Sequence, residues 1–72
     1  MTDSEIKFII SRVLENAKDA IKETKQDTNA EFNSGKLFAY YEILDTIKNE
    51  LIVRGQDLKE FGLDIDLEKT FL

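Results

Sequence analysis

Between Leu37 and Phe61 apolar residues recur at Leu37, Tyr40, Leu44, Ile47, Leu51, Leu58 and Phe61, in steps of three and four interrupted only at Arg54. Residues three and four apart share one side of an α-helix, so this row is a stripe that must lie against another surface. A second arc precedes it. Ile6, Ile9, Ile10, Val13, Leu14, Ala17, Ala20, Ile21 and Thr24 fall within roughly 140° at 100° per residue, the width of a core-facing helix side. The opposite side carries Glu5, Lys7, Arg12, Glu15, Lys18, Asp19, Lys22, Glu23 and Lys25. It reads as a solvated face, where pairs such as Asp3–Lys7 add a few tenths of a kcal/mol each. Phe8 points away from the apolar arc.

The pattern therefore predicts an all-α chain with two long helices. Helix 1 spans about 3–27, with Asp3 or Ser4 as the cap that accepts its free N–H groups. The turn lies near Asp27 to Asn29, where Thr28-Asn29-Ala30-Glu31 fits a capping box. A later start, with Ser34 as the cap, is the alternative. Helix 2 spans about 29–61 and ends at Gly62, suited to the left-handed position past a helix C-terminus. Gly55 costs about 1 kcal/mol against alanine inside that helix and allows a break there. The stripe resumes in phase at Leu58 and Phe61, which favours continuity. Gly35 and Ala39, four apart, would let a further helix approach closely.

The tail, residues 62–72, changes period. Leu63, Ile65 and Leu67 alternate with Asp64, Asp66 and Glu68, as in an extended segment with one face down, and Phe71 and Leu72 follow. A short helix within the tail is the other form compatible with docking. Two mismatches remain within a simple hairpin. Helix 2 overhangs helix 1 by roughly 10 Å at 1.5 Å per residue, stranding Leu58 and Phe61. Phe32, Ile43 and Phe61 also project roughly 100° from the stripe centre, and a helix so broadly apolar is covered from two sides. Each large apolar side chain is worth roughly 1.5–3 kcal/mol when buried. The expectation is a homodimer in which two hairpins form a four-helix bundle. Its interface, or that of a larger protein partner, draws on Phe32, Ile43, Leu58, Phe61, Leu63, Ile65, Leu67 and Phe71.

Composition changes the picture mainly by exclusion. A chain of 72 residues is a single domain with a thin core, the kind that leans on disulfides, a metal or a second subunit. Cysteine and histidine are both absent. That leaves no disulfide framework and none of the usual transition-metal ligands, so a second subunit is the remaining support. Fifteen acidic against ten basic residues give a net charge of −5, which repels nucleic acid and anionic membrane surfaces. No apolar run approaches the roughly 20 residues of a spanning helix. Asp3 and Glu5 stand where a signal peptide would carry positive charge, so a cytoplasmic location is expected.

Candidate chemistry is sparse. Asp64-Ile65-Asp66-Leu67-Glu68 has ligand-like spacing but lacks the turn glycine and distal glutamate of a calcium loop, and reads as the wet side of a docked tail. Asn33-Ser34-Gly35-Lys36 lacks the upstream glycine and the hydroxyl residue of a phosphate loop. Tyr40 and Tyr41 flank the helix 2 stripe, where such rings bury their faces and wet their hydroxyls. Lys48 lies close to the stripe centre, between Leu44 and Ile52. Its stem either snorkels to the bundle edge or makes a register-setting polar contact. No residue set matches a catalytic constellation, and none is expected to hold a cofactor or metal, so the chain reads as a non-enzyme.

The segment GKLFAYYEILDTIK, Gly35 to Lys48, resembles one that recurs in small helical proteins of Gram-positive bacteria and their mobile elements. The resemblance covers about a third of the chain and implies a similar short helical protein, with no activity and no functional residue carried over. Two function classes follow. The first is a dimeric, non-catalytic protein–protein interaction or structural module. The second is a nucleic-acid-linked regulator or accessory protein of a mobile element, with Lys18, Lys22 and Lys25 as its basic stripe. Asp19 and Glu23 interleave with those lysines and cancel most of their field. Acidic mimicry of DNA would need a continuous row of acids, which the chain does not form.

Overall fold

The structure, a computed structural model, describes residues 1–26 and 30–72. Its elements are α1 (Asp3–Gln26), α2 (Ala30–Val53), a 3-10 turn (Leu58–Phe61) and α3 (Leu67–Phe71). No strand occurs among the described residues. The turn, and with it Thr28 of the capping box expected with Glu31, lies outside the described residues. Helix α1 begins as predicted, but its cap is Thr2 rather than Asp3 or Ser4. The Thr2 hydroxyl accepts from the Glu5 N–H at 3.1 Å, and the Thr2 N–H donates to the Glu5 carboxylate at 2.9 Å. This is a reciprocal capping box, two free N–H groups satisfied at once. Those bonds hold the Glu5 carboxyl below its ordinary pKa, the Thr2 N–H being the larger cause and the hydroxyl the next.

The second helix is shorter than its stripe suggested. It ends at Val53, not near residue 61. Gly55 takes a left-handed conformation with φ of 71°. Its N–H donates to the Ile52 carbonyl at 3.0 Å, and the Gln56 N–H reaches the Leu51 carbonyl at 2.9 Å. That pair of bonds is a Schellman stop, available at low cost because glycine has no Cβ to clash. The same device recurs at once. Gly62, φ 73°, closes the 3-10 turn, with Gly62 N–H on the Lys59 carbonyl and Leu63 N–H on the Leu58 carbonyl. Gly62 thus ends a single turn, not the long helix expected. Leu58 and Phe61 keep the spacing of three that both helix types share, which is why the stripe ran on in phase across a real break.

With both helices 24 residues long, the overhang disappears. The chain leaving α2 turns back and lays the 3-10 turn and α3 along one side of the hairpin. Asp57 caps the turn by accepting from the Lys59 N–H, and Asp66 caps α3 by accepting from the Lys69 N–H. Leu63, Leu67 and Phe71, each four apart, are buried at 0, 4 and 4% exposure. They join Ile10, Leu14, Ala17, Leu44, Leu51 and Phe61 in one core. The tail's alternation holds over its extended stretch: Leu63, Ile65 and Leu67 face the core, Ile65 half-buried, while Asp64, Asp66 and Glu68 are exposed, and α3 then adds Phe71 one helical turn past Leu67. Lys7 staples the return, its ammonium 3.2 Å from Glu60 and 5.5 Å over the Phe61 ring.

Candidate functional site: an uncovered side of the hairpin

Helix periodicity resolves where the tail lies. On α1 the tail meets Lys7, Ser11, Leu14 and Lys18, all on one edge of the helix. On α2 it meets Tyr41, Asp45, Lys48 and Asn49. The opposite edge of each helix lies outside these two linings. On α2 that edge carries Phe32, Ala39 and Ile43, with Ile47 half-buried between it and the core. On α1 it carries Ile9. Phe32, Ile43 and Ile9 are 61, 52 and 48% exposed. Lys36 reaches across this side to Glu23 at 2.7 Å, tying the two helices together.

The eight residues expected at an interface thus divide. Phe61, Leu63, Leu67 and Phe71 are core residues of this chain, buried by its own fold, and are corrected from interface to interior. Leu58 and Ile65 are half-buried against the same core and are likewise committed. Phe32 and Ile43 remain on the surface. The reason for the division is the break at Gly55, which frees the following residues to fold back and cover one side only. Ile9, at the outer limit of the α1 arc where periodicity alone does not separate core from rim, is exposed as well, as are Phe38, Ile52 and Val53 on α2.

A second feature is polar. A groove of about 630 Å³ runs between α2 and the tail, lined by Tyr41, Asp45, Lys48, Asn49 and residues 64–68. Lys48 donates to the Ile65 carbonyl at 2.7 Å. Its charge is neither wasted in the core nor simply extended to water, but tethers the tail's backbone. The Tyr41 hydroxyl titrates above its ordinary value, first from desolvation, then from the fields of Asp45, Glu68, Asp66 and Glu42. Phe38 stacks on Tyr41 with ring centroids 6.1 Å apart, and Tyr40 is half-buried on the core side. The acids of this groove do not converge: among the described residues no group of three or more is placed to hold a metal ion. Asp66 is engaged as the α3 cap. Among those residues no helix is long and apolar enough to cross a membrane.

Asn33 is the odd residue of the interior. It is 3% exposed, and its side-chain Nδ2 has no hydrogen-bond partner. A buried amide left so costs about 1–3 kcal/mol, and nothing in the sequence pattern marked it beyond weak helix propensity. No family model, no curated protein and no solved structure matches the chain.

Proposed function

We propose that this protein is a small non-catalytic interaction module that works as a homodimer, joined through the side of the hairpin opposite its tail. The observation that carries the reading is the exposure of Phe32 and Ile43 on the edge of α2 opposite the one that lines the tail groove. Each such side chain gains roughly 1.5–3 kcal/mol on full burial. Two hairpins packed by these faces make a four-helix bundle with both tails outward. The polar groove then lies on the outer surface, open to a larger protein partner. The nucleic-acid-linked reading gains no comparable support, since a net charge of −5 opposes phosphate binding.

Light scattering on the wild-type chain and on Ile43→Glu tests this. The expected result is twice the 8.3 kDa chain mass for the wild type and the single-chain mass for the variant, with unchanged helical circular dichroism in both. A wild type that remains at the single-chain mass at about 100 µM, where even weak specific dimers are populated, refutes it.

A further inference from the structure

The exposed edge of α2 is self-complementary about one residue. Phe32, Lys36, Ala39, Ile43, Ile47, Glu50 and Arg54 follow one another in steps of four, three, four, four, three and four, the same from either end. At 100° per residue they fall within an arc of roughly 80°. Read inward, the ends match in chemistry as well as spacing. Phe32 is equidistant from Ile43 with Arg54, Lys36 with Glu50, and Ala39 with Ile47. An aromatic ring opposes a guanidinium, an ammonium opposes a carboxylate, and a small residue opposes a large one. The first six lie within α2 and Arg54 directly follows its last residue, its N–H still donating to the Glu50 carbonyl at 3.1 Å.

We infer that the occupant of this edge is the same edge of a second copy, with α2 antiparallel to α2 and a two-fold axis passing at Ile43. This rests on the dimer reading and adds the partner helix and its register. Charge complementarity singles out the arrangement. About this axis Lys36 of each copy meets Glu50 of the other, and Arg54 lies over the Phe32 ring, a favourable cation–π placement. Lys36 keeps its bond to Glu23 at 2.7 Å within its own chain, because an ammonium carries three donors. Glu50, whose own Arg54 stands 3.8 Å away, then sits between two cations. Ala39 receives Ile47 as a large side chain fills the space beside a small one, the interdigitation that close helix packing requires. A parallel pairing of α2 with α2 would instead set Lys36 beside Lys36 and Glu50 beside Glu50.

The chain has no cysteine, so single cysteines report the register without interference. Helices packed at about 8–10 Å bring the two copies of the axial residue to a Cα separation of about 5 Å, within disulfide reach. Ala39 and its copy lie eight residues apart along the axis, about 12 Å, which no disulfide spans. With oxidised glutathione as the oxidant, Ile43→Cys should form the disulfide dimer more than about ten-fold faster than Val53→Cys, an exposed control some 30 Å from its copy. Ala39→Cys and Ile47→Cys should each stay reduced alone and cross-link when mixed. A wild type that is dimeric by light scattering, with Ile43→Cys no faster than Val53→Cys, overturns the register and leaves the dimer standing. A wild type that is monomeric overturns both.

Discussion

Leu63→Ala is the sharpest probe of what the tail does for this fold. Leu63 follows Gly62 immediately and is fully buried, at 0% exposure, among Leu14, Leu44 and their neighbours. Truncating a fully buried leucine removes its transfer free energy and leaves a cavity, a combined loss of about 2–5 kcal/mol. A domain of this length holds roughly 4–11 kcal/mol in total, so one side chain in a terminal segment accounts for a large part of it. With a urea slope of about 1 kcal/mol/M, the lower end for small proteins, the midpoint should fall by about 2 M or more. Circular dichroism at equilibrium in urea measures it. Leu72→Ala is the matched control, since that leucine ends the same tail but is 67% exposed, and should move the midpoint by less than about 0.5 M. Equal, small shifts for the two variants would mean that the tail does not pack, and the division of the molecule into a covered and an uncovered side would collapse.

Three further outcomes follow from single features. Gly55→Ala and Gly35→Ala should change stability in opposite directions: the first forces a left-handed alanine at φ 71° and loses about 1 kcal/mol, while the second, helical with open space at its Cβ, gains up to about 1 kcal/mol in thermal or urea unfolding. Lys48→Met keeps the stem but removes the donor to the Ile65 carbonyl. It should cost about 1 kcal/mol and speed amide exchange in residues 66–71, whereas a lysine that merely snorkels would leave both unchanged. Glu5 titrates below its ordinary value of 4.5 in the folded chain because of its bonds to Thr2, so its contribution is complete above that value and is lost as pH falls through the lower, folded one. Glu5→Gln, which removes the titrating carboxyl from both Thr2 bonds, should flatten the acid limb of the stability–pH curve below about pH 4.5; an unchanged limb would exclude the cap as its source.

How much of this was readable in advance depends on which forces acted locally. The apolar arc of α1 was legible, and Phe8, read as pointing away from it, is 57% exposed. Leu44 and Leu51 mark the core face of α2 as their spacing implies. The failures share a cause, which is that helical spacing carries no information about continuity. Leu51 and Leu58 are seven apart and sit in phase on an ideal helix, yet Gly55 ends the helix between them with two backbone bonds that no hydrophobic pattern records. Gly62 was placed correctly in the left-handed region, but for a turn instead of a long helix. The Thr2-x-x-Glu5 spacing was a capping-box signature in plain view, overshadowed by the acidic and hydroxyl residues beside it. In the tail the alternation of Leu63, Ile65 and Leu67 with exposed acids was legible, and what it did not show was the change to helix at Leu67 that places Phe71. Of the candidate site, Phe32 and Ile43 were recoverable from their angle on α2. The other six interface candidates were not separable from core residues, because burial by one's own tail and burial by another chain require the same side chains.

The palindromic spacing on α2 shows why an exposed edge can be informative where a core is not. Core positions need only be apolar and of suitable volume, whereas Lys36 and Glu50, each seven residues from Ile43, would under the proposed pairing favour one register over others. Specificity of this kind comes from charges placed to repel the wrong register as much as to attract the right one.

The central claim is that one side of the hairpin is sealed by its own tail and the other by a second copy. A dilution series of amide NMR spectra from about 1 mM to about 10 µM, spanning the affinities of weak to moderate dimers, tests it residue by residue. Concentration-dependent shifts should gather at Phe32, Ala39, Ile43 and Ile47, while Leu63, Leu67 and Phe71 stay fixed. Shifts centred on the tail, or spectra that do not change anywhere along the series at the single-chain tumbling rate, would contradict it.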